Sequence, residues 1–255
     1  MPVIKEENGF RYHESGTGET LLLLHGLFGA LSNFREVIEH FSKKTKVCIP
    51  LLPLYELPAE ETSVEGLVHY IARFIEYKKF NSLLLLGNSL GGHIALMYTL
   101  GHPEKVKSII LTGSSGLFEN SLGDSYPKKS DYEFVKQKTE YTFYDPAVAT
   151  KELVDEVYEI VNNREKALRI LYLAKSALRN NLREHLFKIN VPVMLIWGKE
   201  DRITPPFVAE EFQKLLPHAG LQWIERCGHA AMMERAKEFN LLLEQFLDTL
   251  SESNQ

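Results

Sequence analysis

The chain has 255 residues, and 29 lysines and arginines against 34 aspartates and glutamates give it a formal net charge of −5 at pH 7. Its 44% of hydrophobic and 25% of charged residues are typical of an ordinary globular protein. A chain of this length can bury a full core, as one large domain or as a core with an insertion, without disulfides or metal ions. The mild acidity, with no stripe of lysine and arginine, argues against nucleic acid as a partner.

The cysteines and the N-terminal residues exclude further classes of protein. Cys48 and Cys227 are too few for a disulfide framework, and together with nine scattered histidines they give no paired spacing for a zinc site. No apolar run reaches the roughly 18–20 residues that span a bilayer. Lys5, Glu6 and Glu7 stand where a signal peptide needs an apolar stretch. We therefore expect a cytoplasmic protein with no membrane partner and no metal.

Short apolar runs alternate with longer amphipathic stretches along most of the chain. The runs are nearly continuously apolar, which is typical of a parallel sheet covered by helices on both faces. This alternation predicts a doubly wound α/β fold, with short antiparallel strands in the first few residues and at 10–14 on one edge of the sheet. The other predicted strands are 20–24, 46–51, 82–86, 108–112, 193–197 and 221–224, and the predicted helices are 33–41, 64–78, 90–102, 206–215 and 236–250.

The alternation is interrupted in the middle of the chain. Residues 147–161 and 165–178 have helical periodicity, and the surrounding stretch is rich in tyrosine and phenylalanine, with no convincing strand. We interpret residues 118–187 as a helical cap inserted between two strands of a core that comprises residues 1–117 and 188–255. Most of the aromatic side chains in the cap are expected to form a small second core.

The strongest chemical signal is Gly-Asn-Ser-Leu-Gly-Gly at 87–92, directly after an apolar strand and before a helical stretch. A serine on a sharp strand-to-helix turn is held in a strained conformation with its hydroxyl exposed. The flanking glycines remove side chains that would collide with the neighbouring strand and helix. The turn also places Ser89 at a helix N-terminus, where backbone N–H groups favour developing negative charge. The pattern predicts a nucleophilic Ser89, the alternative being a glycine-rich connection with an incidental serine.

A second glycine turn, His-Gly-Leu-Phe-Gly at 25–29, follows another apolar strand. Its backbone N–H groups are expected beside the carboxyl ends of the strands, where ligands bind in open α/β sheets. We expect the N–H groups of Leu27 and Leu90 to form an oxyanion hole. We interpret His25, which closes the glycine turn, as a structural hydrogen-bonding residue rather than a catalytic base.

Two turns at the ends of later strands supply an acid and a base. Asp201, in Gly-Lys-Glu-Asp-Arg at 198–202, holds the position of a carboxylate that orients a base, with Glu200 as the adjacent competitor. A charged surface turn is the alternative for this segment. His229 follows a glycine after the last strand and is the best candidate for a general base. Thr204, before two prolines, is expected to cap the next helix.

The order Ser89, Asp201, His229 is that of the α/β-hydrolase triad, and the chain resembles this superfamily over residues 25–229. The resemblance implies an α/β-hydrolase fold with a helical cap, a small-molecule substrate and no metal or organic cofactor, and it leaves the oligomeric state open. It also implies that Ser89 attacks a carbonyl carbon while His229 takes its proton and later activates water. Asp201 would hold the imidazole, and Leu27 and Leu90 would stabilise the oxyanion.

Two classes of hydrolase within the superfamily are similar to this chain. The loop at 25–29 looks like that of small carboxylesterases, which favours hydrolysis of carboxylic esters with largely apolar groups. The elbow resembles that of carbon–carbon hydrolases of meta-cleavage products, in which the asparagine before the serine contacts the substrate. Against the second class, Ala230 stands where those enzymes tend to have tryptophan, and Val157 stands where they carry a cap arginine, for which Arg164, Arg169 and Arg179 are the alternatives.

A ligand-binding, receptor-like protein on the same fold is a third possibility. The intact set of serine, acid and histidine argues against it, because a pure binder has no need of all three together. In either kind of protein, the ligand occupies a pocket between core and cap. The residues expected to contact it are Phe28, Asn88, Phe118, Tyr126 and Met232.

Overall fold

The structure, a computed structural model, describes residues 3–29, 31–118 and 131–252. Over these residues the centre of the molecule is an eight-stranded sheet. The strands are β1 (Ile4–Glu7), β2 (Phe10–Ser15), β3 (Thr20–Leu24), β4 (Lys46–Pro50), β5 (Leu83–Asn88), β6 (Val106–Thr112), β7 (Val193–Gly198) and β8 (Ala219–Ile224).

The strands lie in the order β1-β2-β4-β3-β5-β6-β7-β8. The pairs from β4 to β8 are parallel, whereas β1 with β2 and β2 with β4 are antiparallel. The structure therefore confirms the mostly parallel sheet and the antiparallel edge. Strand β1 agrees with the antiparallel strand expected in the first few residues, although its four residues are all exposed and three of them are charged.

Helices cover both faces of this sheet, as a doubly wound fold requires. They are α1 (Arg35–Phe41), α2 (Val64–Tyr77), α3 (Leu90–Gly101), α4 (Tyr132–Glu140), α5 (Lys151–Asn162), α6 (Arg164–Arg179), α7 (Pro206–Leu215), α8 (Ala231–Glu234) and α9 (Ala236–Glu252). Among the described residues, no helix combines the length and the apolar composition needed to cross a membrane.

The alternating side chains of β3 show why both faces are apolar. Successive residues of a strand point to opposite faces, so Leu22 and Leu24 join one buried cluster while Leu21 and Leu23 join another. Helices α2, α3 and α7 pack on the first cluster, and α1 and α9 pack on the second. The carboxyl ends of β3, β5, β6 and β7 are thereby held at one rim of a rigid sheet.

In its described part, from residue 131 onward, the segment inserted between β6 and β7 contains the three helices α4, α5 and α6. The expected helix at 147–161 begins later, because the Thr150 hydroxyl caps α5 by accepting from the Leu153 N–H at 3.4 Å, after a separate turn at Pro146–Val148. Helix α4 was not predicted. Helix α6 is tied to the core through Ser176, whose hydroxyl accepts from the Val64 N–H at 2.9 Å and donates to Glu65 at 3.0 Å.

The two cysteines are unpaired and fully buried in the apolar clusters. Burial raises the pKa of the Cys48 thiol to about 12 and that of the Cys227 thiol as well. Because thiolates are the reactive form of cysteine, both side chains act as small apolar core residues, as predicted for Cys48.

Candidate active site

Ser89 lies on the turn between β5 and α3 with φ 55° and ψ −121°, a conformation rare for a residue with a side chain. Four hydrogen bonds hold the backbone there. The Ser89 N–H donates to Thr112 at 3.2 Å, and the Ser89 carbonyl accepts from the N–H groups of Gly92 at 3.0 Å, His93 at 3.3 Å and Ser115 at 3.1 Å. The Ser89 hydroxyl makes no bond to the described backbone of α3, although it occupies the N-cap position. The strain is thus maintained by the surrounding structure, with the hydroxyl left for another role.

The close approach of β3 to α3 explains one of the elbow glycines. A Cβ atom at Gly91 would lie 2.0 Å from the carbonyl oxygen of Leu24, which no rearrangement of a side chain can relieve because the clashing atom is backbone. The elbow therefore needs glycine at this position for the serine to reach the rim of the sheet.

The loop at 25–29 packs directly onto the elbow. A Cβ atom at Gly26 would lie 3.1 Å from the Cβ atom of Ser89, and the Gly29 N–H closes the turn on the Gly26 carbonyl at 3.0 Å. His25 Nε2 accepts from the Leu52 N–H at 3.0 Å, and its Nδ1–H donates to the Gly26 carbonyl at 2.9 Å. Burial lowers the pKa of His25. His25 thus has the predicted structural role.

His229 and Asp201 form a buried pair. Nδ1 of His229 lies 2.9 Å from Oδ2 of Asp201, and because a carboxylate can only accept, Nδ1–H is the donor. Oδ1 accepts from the N–H groups of Ile203 at 2.8 Å and Thr204 at 2.9 Å. The Thr204 hydroxyl donates to Oδ2 at 2.7 Å. This tautomer leaves Nε2 of His229 as a proton acceptor.

The expectation that Thr204 caps α7 is wrong. The helix begins at Pro206 with Pro205 as its N-cap residue, and no side chain caps it. The Thr204 hydroxyl is bound to Asp201 instead, while its carbonyl accepts from the Trp197 indole N–H at 2.8 Å. A threonine before two prolines is a sequence signal for a helix cap, but here the Thr204 hydroxyl orients the Asp201 carboxylate.

The competing carboxylate, Glu200, points away from the histidine. Its Oε2 accepts from the Cys227 N–H at 2.9 Å.

The backbone of His229 is held by two other elements. Its N–H donates to the Thr142 carbonyl of the inserted segment at 2.8 Å, and its carbonyl accepts from Nδ2 of Asn88 at 3.3 Å. Nδ2 of Asn88 also donates to the Thr112 carbonyl at 3.0 Å, so this amide nitrogen is used within the protein.

A cavity of about 350 Å³ lies between the rim of the sheet and the inserted helices, within the range of small-molecule sites. Its walls are largely apolar. The core contributes Leu27, Phe28, Asn88, Ser89, His229 and Met233, and the inserted segment contributes Phe134, Val135, Phe143, Leu153, Val157 and Val161. The structure thus brings the predicted nucleophile, base and oxyanion loop to one cavity, with Asp201 behind His229.

Two of the expected pocket residues, Met232 and Phe118, lie away from the cavity. Met232 is fully buried in the core cluster under α8, and Met233 lines the cavity in its place. Phe118 packs edge-on against Phe207, with ring centroids 5.3 Å apart, and does not line the cavity. Tyr126 lies outside the described residues.

Leu90 contributes through its backbone rather than its buried side chain. It is the first residue of α3, so its N–H lacks a partner within the helix and is available to an anion.

The cavity residues that were not expected lie mainly on the inserted helices. On α5, the cavity is lined by Leu153, Val157 and Val161, which are four residues apart. This helical spacing of apolar residues is visible in the sequence and could have identified them as one face of the helix.

Among the described residues, no group of three or more His, Cys, Asp or Glu side chains is placed to hold a metal ion.

A sequence model described as the Alpha/beta hydrolase family matches residues 21–240, and the chain belongs to this family. This confirms the resemblance that the order of serine, acid and histidine indicated. The match covers the loop at 25–29, the elbow, and the turns that carry Asp201 and His229. The chain is accordingly a hydrolase.

The chain is similar to an alpha/beta hydrolase enzyme of solved structure, to a lipase and to a hydrolase named for an oxo-dienedioate substrate. MGS-MChE2, an alpha/beta hydrolase enzyme from the metagenome of lagoon sediments of Mar Chica, Morocco, shares 44% identity with a TM-score of 0.81, over 97% of this chain and 98% of that one. Monoacylglycerol lipase ABHD6 of Bos taurus is 26% identical over 91% of this chain and 76% of its own length. The 2-hydroxy-6-oxononadienedioate/2-hydroxy-6-oxononatrienedioate hydrolase of Comamonas testosteroni is 28% identical over 94% of this chain and 92% of its own length.

Proposed function

We propose that this protein is a serine hydrolase that cleaves carboxylic esters of small, largely apolar substrates through an acyl-enzyme. One observation carries the proposal. Ser89, held in a left-handed strand-to-helix turn, lines the same largely apolar cavity as His229, whose Nδ1 is bound to Asp201. The named activity of the lipase relative supports ester hydrolysis in this family.

The mechanism follows from the roles these atoms can take. The Ser89 Oγ atom attacks the carbonyl carbon while Nε2 of His229 takes the hydroxyl proton, and Asp201 stabilises the imidazolium that forms. The N–H groups of Leu27 and Leu90 bind the tetrahedral oxyanion. When the intermediate collapses, His229 returns the proton to the leaving alcohol. Water then attacks the acyl group by the same route and releases the carboxylic acid and free Ser89.

In this proposal the inserted helices α4–α6 act as the cap predicted for residues 118–187, which encloses the acyl or alcohol group. Phe134 and Val135 on α4 and Leu153, Val157 and Val161 on α5 present apolar atoms to the cavity. Such a wall stabilises alkyl and aryl groups by removing them from water, at about 25 cal/mol per Å². Phe28 supplies an apolar wall from the core side.

Hydrolysis of a carbon–carbon bond in a meta-cleavage product is the second candidate. It is favoured by the named activity of the Comamonas testosteroni relative and by the position of Asn88 on the cavity wall. Against it, the cavity is lined by the apolar side chain of Val157 at the position where the carbon–carbon hydrolases are expected to carry their cap arginine. A receptor-like binder is the third candidate, and it differs from both in needing no turnover.

One assay on wild type, Ser89→Ala and a control, Ser82→Ala, separates the candidates. Ser82 is an exposed serine that precedes β5 at its opposite end. We expect wild type and Ser82→Ala to hydrolyse 4-nitrophenyl butanoate, and Ser89→Ala to lose at least about 10³-fold in kcat. Mass spectrometry of quenched wild type should detect a butanoyl adduct on Ser89.

If the protein cleaves a coloured meta-cleavage dienoate, measured by its bleaching, faster than it hydrolyses the ester, and if this cleavage also depends on Ser89, the protein belongs to the carbon–carbon hydrolases. Stoichiometric binding of the ester that Ser89→Ala leaves unchanged, without turnover, would assign it to the binders. Ester hydrolysis that survives Ser89→Ala would contradict the proposed nucleophile.

A further inference from the structure

Two cations stand at the mouth of the otherwise largely apolar cavity. Lys138 lies on α4, and Arg202 lies on the loop that carries Asp201; both are exposed to solvent and both line the cavity. Among the described residues that line it, there is no aspartate or glutamate. The cavity therefore combines apolar walls with two exposed positive charges.

Each of these two cations lies over the face of an aromatic ring. The Lys138 ammonium lies 5.6 Å from the ring centroid of Phe134, and the Arg202 guanidinium lies 5.2 Å from that of Tyr141. Lys138 and Tyr141 are three residues apart at the end of α4, so they share one face of the helix. We call Lys138, Tyr141 and Arg202 the cationic rim: Tyr141 contacts Arg202 of the core loop, and Lys138 lies one turn before Tyr141 at the end of α4.

The carboxylates near the cationic rim are occupied elsewhere. Asp201 is bound to His229, and Glu140 on α4 lies 3.7 Å from Lys136. Glu234 accepts from the Gly228 N–H at 2.6 Å and the Asp145 N–H at 2.7 Å. Within the described part of the chain, neither rim cation has a carboxylate within ion-pair distance. An aromatic face attracts a cation without neutralising it, so the positive charge and N–H donors of the rim remain available to a ligand.

We propose that the cationic rim is a subsite for a carboxylate, so that the preferred ester carries a carboxylate remote from its scissile carbonyl, on the acyl or the alcohol part. This inference rests on the proposed ester hydrolysis and specifies its substrate class. The apolar walls would bind the hydrocarbon chain, and Lys138 and Arg202 would bind the terminal carboxylate. Half-esters of dicarboxylic acids and esters of hydroxy acids have this chemistry.

Pairs of esters that differ only in the terminal group test the subsite. On the acyl side, mono-4-nitrophenyl adipate is compared with 4-nitrophenyl hexanoate; on the alcohol side, the butanoyl ester of 6-hydroxyhexanoate is compared with hexyl butanoate. We expect kcat/KM for the carboxylate member to exceed that of the neutral member in one of the pairs, which identifies the side. Raising the ionic strength should reduce this ratio, because the rim is exposed and its charges are screened.

The variants Lys138→Gln and Arg202→Gln should each lower the ratio by up to about fivefold, which is the most that an exposed ion pair typically supplies. The matched control is Lys136→Gln, which lies on the same helix but pairs with Glu133 and Glu140 and does not line the cavity. We expect this control to retain the wild-type ratio. A ratio at or below one in both pairs, or one that Lys136→Gln lowers as much as Lys138→Gln, would overturn the subsite.

Binding to an inactive variant separates this inference from the proposed function. In Ser89→Ala, equilibrium dialysis measures the Kd of mono-4-nitrophenyl adipate, 4-nitrophenyl hexanoate and the two butanoyl esters. Tighter binding of a carboxylate ligand than of its neutral partner, weakened by adding Arg202→Gln, supports the subsite even if the serine mechanism fails. Equal binding within both pairs, together with Ser89-dependent hydrolysis in wild type, rejects the subsite and keeps ester hydrolysis.

Discussion

At the scale of single residues, hydrogen bonds decide which of two adjacent carboxylates acts on the histidine. Asp201 receives the Nδ1–H of His229 and three further donors from Ile203 and Thr204, and these fix the orientation of its carboxylate. Glu200, the preceding residue, accepts a backbone N–H from Cys227. Only one of the two carboxylates is therefore placed to hold the imidazole tautomer.

The substitution Asp201→Asn should lower kcat for an ester by about 10³–10⁴-fold, because an amide in this place favours the wrong imidazole tautomer. Glu200→Gln should keep kcat within about fivefold, because a glutamine oxygen can still accept from the Cys227 N–H. Steady-state kinetics on both variants measures this, with far-ultraviolet circular dichroism as the control for folding. A larger loss in Glu200→Gln than in Asp201→Asn would reverse the assignment.

The residues that belong to backbone turns were easier to predict than those that only fill the pocket. Ser89 and His229 are marked by glycines and by preceding apolar strands, which fix their position at the sheet rim. Met232 and Met233 lie on the four-residue helix α8, where no periodicity in the sequence tells the fully buried residue from its half-buried neighbour that lines the cavity. Phe118 was expected in the pocket but pairs with Phe207, a contact between distant parts of the chain.

At the scale of elements, the predicted strands and core helices agree with the structure because each is strongly patterned. All five residues of β3 are buried, as its continuous apolar run indicated. Helix α4 escaped prediction because its sequence, YEFVKQKTE, is short and mostly polar. It is stabilised by its Asp131 cap and by packing against α5, and this long-range packing is invisible to local pattern. The same helix carries Phe134 and Lys138 of the cavity.

Two glycines of α3 make a matched test of the elbow. Gly91→Ala should lower the free energy of unfolding by about 3 kcal/mol or more, because its Cβ meets the carbonyl of Leu24 at 2.0 Å. Gly101→Ala, at the other end of the helix, has no atom within 4 Å of the new Cβ. It should raise the free energy of unfolding by about 0.5–1 kcal/mol, because alanine loses less backbone entropy. Urea unfolding measures both, and equal effects of the two substitutions would contradict the close approach of β3 to the elbow.

At the scale of the whole molecule, a buried histidine links the elbow, β6 and the inserted helices. The Nε2–H of His93, on the first turn of α3, donates to the Asn180 carbonyl at the end of α6 at 2.9 Å. Its Nδ1 lies 3.3 Å from the Ser115 hydroxyl, and the Ser115 N–H bonds to Ser89. Both ring nitrogens of His93 have hydrogen-bond partners that a neutral imidazole can satisfy, and burial disfavours the charged imidazolium. In the folded state, His93 therefore binds a second ring proton only at low pH.

Stability should therefore fall as the pH is lowered through the range in which unfolded histidine gains its proton. Burial lowers the pKa of His93 to about 4, and it lowers that of His25, whereas an unfolded histidine titrates near about 6.5. Between these values the unfolded state binds more protons, so the free energy of unfolding decreases on acidification by up to about 1.4 kcal/mol per pH unit for each buried histidine. The stabilisation is fully present above the unfolded pKa and is lost as pH falls towards the folded one.

Urea unfolding of wild type, His93→Gln and His218→Gln at pH 7.5 and pH 5 tests this dependence. The stability of His93→Gln should change less between the two pH values than that of wild type, by about 2 kcal/mol, because one of the two histidines whose pKa is lowered no longer titrates. His218 is exposed, so His218→Gln is the matched control and should follow the wild type. If His93→Gln and His218→Gln lose equal stability on acidification, the link between elbow and inserted helices does not depend on a neutral His93.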